Sequence, residues 1–184
     1  MIRKFQNHTP QIPDSWYIFP TATIIGNVIM GENVIAYPGV VIRAEHHQVT
    51  IGDNTNFQEN STIHIEWDKD VHIGSGVTIG HNAIIHACTI CDNVLVGMGA
   101  IVQDGAVIGE NSFIGAGALI RRNMIVPPGS MVYGFPARVV RPITDAEYAD
   151  IRDSAKEYQI FKRDLEAQDA ALAKEGRLDW FLYG

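Results

Sequence analysis

Residues 89–132 read TICDNVLVGMGAIVQDGAVIGENSFIGAGALIRRNMIVPPGSMV. Within this stretch Ile90, Val96, Val102, Ile108, Ile114, Ile120, Val126 and Val132 fall six residues apart, and every one is β-branched. Glycine follows directly at Gly97, Gly109 and Gly115. Working outward toward the N-terminus, the same beat continues through Met30, Ala36 and Ile42, then Ile51, Phe57 and Ile63, then Ile73, Ile79 and Ile85. Two steps are stretched, Ile42 to Ile51 and Ile63 to Ile73, and one is shortened, Ile85 to Ile90.

A short strand cannot bury its apolar face alone, so a period this regular implies stacking of repeats. Three short strands joined by tight corners make a triangular coil of about 18 residues. Coils stacked at the sheet spacing of about 4.8 Å then bury a continuous core. The β-branched anchor points inward, and the glycine or small polar residues beside it tolerate corners that require positive φ. A β-sandwich does not hold an unbroken period over eight successive anchors. The expected fold is therefore mainly β, a left-handed parallel β-helix of hexapeptide repeats. The two stretched steps are expected to bulge outward as loops, where function tends to sit.

A different rhythm starts after Pro142. Thr144-Asp145-Ala146-Glu147 is a capping-box pattern, a hydroxyl that caps and a glutamate three residues on. Tyr148, Ile151, Ala155, Tyr158, Leu165 and Leu172 follow at helical spacing, which predicts a C-terminal α-helix of about 30 residues ending near Gly176. It is expected to lie on the outside of the β-helix or on a neighbouring chain. The expected division is a β-helix domain with an N-terminal extension over residues 1–142, then a helix and apolar tail over 143–184. The tail LDWFLY (178–183) is too apolar to float free and is expected to dock.

Composition narrows the function. The 184 residues carry a formal net charge of −7, which argues against a nucleic-acid partner because phosphate binding needs a basic face. No apolar run approaches the roughly 20 residues needed to cross a bilayer, so no membrane partner is expected. The polar N-terminal 20 residues hold three prolines and lack the pattern of a signal peptide. Cys88 and Cys91, the two cysteines, cannot make a disulfide framework, and corner packing accounts for them. A cytoplasmic location is expected.

The period also turns positions into coordinates. Three anchors make one coil, so Ile42, Ile63 and Ile85 stack on one face, and the residues directly after them, Arg43, His64 and His86, form a column beside them. Two imidazoles one coil apart are a metal pair in need of further ligands, since catalytic zinc sites commonly use three protein ligands and leave one position for water. His81 is the natural third. It lies two residues after Ile79, on the preceding face and near a corner, so it points away from the column of its own chain and toward that of an adjacent one. The expected arrangement is a homotrimer with three equal sites, His64 and His86 from one subunit and His81 from the next. His8 and His72 read as ordinary surface histidines.

At this point the residues resemble the γ-class carbonic anhydrase family. The resemblance is carried by Val41-Ile42-Arg43-Ala44-Glu45, by the run from Ile51 to Glu59, by His64 and by the run from Val77 to Cys88. Gly97-Met98-Gly99-Ala100, Pro127-Pro128-Gly129-Ser130 and Tyr133-Gly134-Phe135-Pro136-Ala137-Arg138 add to it. It covers residues 20–142. It implies reversible hydration of CO2 to bicarbonate by a zinc-hydroxide mechanism at trimer interfaces, with His64, His81 and His86 as metal ligands. Iron or cobalt would serve in place of zinc, because three imidazoles choose weakly among these metals. It further implies that Arg43 takes part in ion pairing at the subunit interface and that Gln58 lies beside the metal-bound water. Arg43, Glu45, Gln58 and Glu59 are the expected catalytic set. Where the family usually carries Arg-Gly-Asp and Gln-Asp, this chain has Arg43-Ala44-Glu45 and Gln58-Glu59. Each acid is one methylene longer, and a misplacement of about 1 Å can cost 10²-fold in rate. No acidic loop follows His64 at the family's position, which leaves His46 or Glu66 as the proton shuttle. Two alternatives share the fold: a metal-binding trimer with weak or no catalysis, and a hexapeptide-repeat acyltransferase using CoA.

Overall fold

A computed structural model describes residues 1–175. The chain is a left-handed β-helix solenoid of short parallel strands followed by one helix. Every anchor of the six-residue period, from Met30 to Val132, is buried in one continuous core. The anchors stack in three columns, one per face. On the first, Ile24, Ile42, Ile63, Ile85, Val102 and Ile120 pair in turn. On the second, Met30, Ile51, Ile73, Ile90, Ile108 and Val126 do so. The third runs Ala36, Phe57, Ile79, Val96, Ile114 and Val132.

The corners explain the residues between anchors. Asn33, Asn54, Asn82, Asn93, Asn111 and Asn123 all take positive φ, between 53° and 58°, the left-handed conformation that asparagine tolerates better than other non-glycine residues. Gly97 serves a different end. A Cβ there would lie 2.6–2.8 Å from the backbone of Ile114, Gly115 and Ala116 on the next coil, so glycine is what lets the coils close.

The stretched steps differ from each other. Between the strands Thr62–His64 and Val71–Ile73 the chain leaves the coil and returns through a small antiparallel bridge, Glu66 to Lys69. The other step is not a separate loop. Val41–Ile51 is one continuous strand along Thr23–Met30, and its register jumps between Gly26↔Ala44 and Val28↔Val49. Residues 45–48 therefore stand opposite Asn27 alone, as a bulge that pushes Glu45 and His46 outward.

The helix, Asp145–Lys174, opens with the expected capping box: Glu147 N–H donates to Thr144 Oγ1 and Thr144 N–H donates back to the Glu147 carboxylate. It lies on its own chain. Ile151 and Ala155 are buried, Tyr158 packs edge-on against Tyr37 at 5.6 Å, and Tyr17 Oη donates to Asp169 at 2.6 Å. The apolar tail 178–183 lies outside the described residues.

Candidate metal centre

Arg43, His64 and His86 occupy equivalent positions on three successive coils, with Arg43 paired to His64 and His64 to His86 in register. His64 Nδ1 lies 3.1 Å from His86 Nε2. The outer nitrogen of each ring is held by a carboxylate. Glu45 Oε2 is 3.2 Å from His64 Nε2, and Asp104 Oδ1 is 2.7 Å from His86 Nδ1. A carboxylate accepts, so each ring keeps its proton on the outer nitrogen and turns a lone pair inward. Two lone pairs then face each other across 3.1 Å.

A cation resolves that conflict. Two ligands about 2.0–2.1 Å from one tetrahedral ion stand roughly 3.3 Å apart, close to the observed spacing. His64 is also prepared to lose a competing proton. Burial, the Arg43 guanidinium and His86 together lower its pKa to about 4, so the ring is neutral near pH 7 and its lone pair is available. The donor set fits a divalent metal.

His81 follows the third-face strand Thr78–Ile79, whereas His64 and His86 belong to first-face strands. The structure brings His64 and His86 together and does not bring His81 to them within one chain. Its environment nevertheless follows the same rule. Glu59 Oε2 lies 2.6 Å from His81 Nδ1, which leaves Nε2 with the free lone pair. Gln58, itself buried, accepts from the His81 backbone N–H at 3.2 Å. All three histidines thus have a carboxylate behind one nitrogen and present the other, the arrangement that orients metal-ligating imidazoles.

Two supporting residues escaped the sequence reading. Asp104 is buried, pairs with Arg122 on its other oxygen and carries a lowered pKa; burial works to raise it, but the hydrogen bond and charge of His86 and the charge of Arg122 outweigh that. Tyr158 comes from the C-terminal helix, and its pKa is raised chiefly by burial and by the charge of Glu59, with the Gln58 side chain acting against the rise. Arg43 pairs with Glu45, the acid that holds His64. Among the described residues, the three metal-ligating side chains whose donor atoms all lie within 4.8 Å of one another are Glu66, His86 and Asp104. We favour the histidine set over this one, because Asp104 already has two partners and faces the protonated side of His86. Glu66 instead belongs to the mouth. With His46, Trp67 and His64 it lines an opening of about 180 Å³, in which the His46 ring lies 4.3 Å from that of Trp67.

Residues 87–122 match the bacterial transferase hexapeptide model, six repeats, which agrees with the coil geometry and defines a hexapeptide-repeat protein. A carbonic anhydrase of Geobacillus kaustophilus is 39% identical over 86% of this chain and 87% of its own. Gamma carbonic anhydrase 1 of Arabidopsis thaliana mitochondria is 37% identical over 88% of this chain. The chain spans about three fifths of that plant relative's length. Among solved structures, an acetyltransferase candidate from Bacillus cereus superposes with a TM-score of 0.89 at 34% identity, over 91% of this chain and 98% of that one. The chain belongs to the γ-class carbonic anhydrase family. Membership implies a metal, and among the described residues no helix is long and apolar enough to cross a membrane.

Proposed function

We propose that the protein catalyses reversible hydration of CO2 to bicarbonate at three metal sites, each shared between two subunits of a homotrimer. The observation that carries this reading is the common treatment of His64, His81 and His86: each is backed by a carboxylate and offers one free nitrogen. His64 Nδ1 and His86 Nε2 of one subunit, with His81 Nε2 of the next, would hold the ion, with zinc as the expected metal and iron or cobalt as substitutes. When bound, the metal would lower the pKa of a coordinated water toward about 7.

The protein's own residues do the remainder. Glu45, Glu59 and Asp104 fix the ring orientations and keep the inward nitrogens unprotonated. Gln58 Oε1 is engaged by the His81 backbone, so its amide N–H is the group left to orient CO2. The proton released on hydration has an exit through the mouth, taken up by a ring nitrogen of His46 or a carboxylate oxygen of Glu66. An imidazole suits such transfer near neutral pH.

The test is stopped-flow CO2 hydration on protein purified without oxygen, with metal content measured on the same sample. About one metal per chain with activity that follows metal loading establishes the reading. Full metal occupancy without turnover points to a metal-binding trimer disabled by the longer Glu45 and Glu59. Metal-free protein that consumes acetyl-CoA points to the acyltransferase alternative, which the likeness to the acetyltransferase candidate of Bacillus cereus supports.

A further inference from the structure

A second cavity lies apart from the candidate metal centre, between the C-terminal helix and the corner residues of the coils. Its volume is about 520 Å³, within the range of small-molecule sites, about 300–1,000 Å³. Its charged lining is of one sign: Arg152, Lys156 and Arg163, all from one stripe of the helix, with no carboxylate in the wall. That is unexpected by composition, because the chain carries a net charge of −7.

The charges are also largely uncommitted. Arg152 sits 5.8 Å from the Tyr148 ring centroid and has no carboxylate partner among the described residues. Arg163 has neither an ion pair nor a hydrogen bond among them. Only Lys156 has a partner, Asp153 at 3.0 Å, in an exposed pair of the kind that contributes little. Opposite the helix stand the corner amides of Asn54 and Asn93, neutral groups that can donate to an anion. Ala155 and Ile160 supply an apolar floor, and Gly76 leaves room above it.

Spacing selects the ligand. Arg152 and Arg163 are separated by about 16 Å along the helix axis, at about 1.5 Å per residue. A single small anion such as bicarbonate cannot engage both. A molecule with several anionic groups and an apolar or planar body can. We propose that this cavity binds an organic polyphosphate of nucleotide size, its linked phosphates on one arginine and Lys156, its body on Ala155 and Ile160, and its planar base against the guanidinium of the other arginine.

The experiment is isothermal titration of the intact protein with ATP, AMP, inorganic phosphate and citrate, at low and at physiological salt. ATP should bind at one site per chain, and inorganic phosphate at least tenfold more weakly. Arg152→Gln and Arg163→Gln should each weaken ATP by about tenfold or more, the usual scale for a charge-assisted contact. Ile160→Glu, which puts a carboxylate into the wall, should abolish binding, while Lys4→Gln, a charge removed elsewhere on the surface, should leave it within about twofold. All of these positions are exposed, so folding is not at stake, and circular dichroism checks it. The proposal is overturned by absence of heat with millimolar ATP, by arginine variants that bind as the wild type does, by equal weakening in Lys4→Gln, or by citrate binding as tightly as ATP.

Discussion

Replacing Asp104 by asparagine tests how the centre is built. Asp104 accepts from His86 Nδ1 at 2.7 Å and pairs with Arg122, with its side chain 11% exposed. The amide keeps the shape but loses the charge, so the tautomer of His86 is no longer enforced and Arg122 loses its partner. Loss of a group that orients a ligating histidine typically costs about 10–100-fold in metal affinity, or about 1.4–2.7 kcal/mol. The assay is competition for metal against a chromophoric chelator, with circular dichroism to confirm the fold. If Asp104 were instead a direct ligand alongside Glu66 and His86, Asp104→Asn would abolish binding as completely as His86→Ala, and Glu66→Gln would weaken it too. A Kd unchanged within about twofold would refute both arrangements.

Three further outcomes follow from the packing. Gly97→Ala should destabilise strongly, by more than about 1 kcal/mol in urea unfolding, because the added Cβ meets backbone on the next coil rather than a side chain that can move; a wild-type midpoint would contradict the close approach. Cys88, whose pKa burial pushes up to about 12, should not react with a disulfide reagent at pH 8 until urea unfolds the chain, and fast native labelling of Cys88 in a Cys91→Ser background would be inconsistent with its burial. The carboxyl of Glu147 is held down at about 2, chiefly by Arg141 and also by the Thr144 backbone. Because its folded pKa is depressed, the anchor is fully present above the ordinary glutamate range near 4.5 and is lost only as pH falls through about 2. Helix-start amide signals should therefore hold to about pH 3 and shift below it in the wild type, but shift at a higher pH in Arg141→Gln, where Thr144 alone still holds the carboxylate down.

Much of the fold is legible because one rule repeats. Each anchor carries its own address, so counting by sixes placed every anchor in the core and put His64 and His86 on one column. The helix declared itself through Thr144 and Glu147, whose capping is local. What could not be counted was set by non-local contacts. The segment from Glu45 to Gln48 has no apolar beat of its own, and it continues a strand only because Thr23–Met30 lies beside it. Asp104 holds His86 from the next coil, and a count of acids two residues past each anchor would have found it. Tyr158 reaches Tyr37 only once the rotation of the helix on the coil is fixed, and helical spacing alone does not contain that.

The most direct test of a shared site is complementation between two defective chains. His64→Ala spoils the face that offers the pair, and His81→Ala spoils the face that offers the third ligand. Each variant alone should form trimers that neither hold metal nor hydrate CO2. Trimers assembled from an equal mixture should regain both, to about one quarter of the wild-type level, because one interface in four joins two intact faces in a ring of randomly placed subunits. If the mixture forms mixed trimers and regains neither metal nor activity, the site is not shared between subunits in this way.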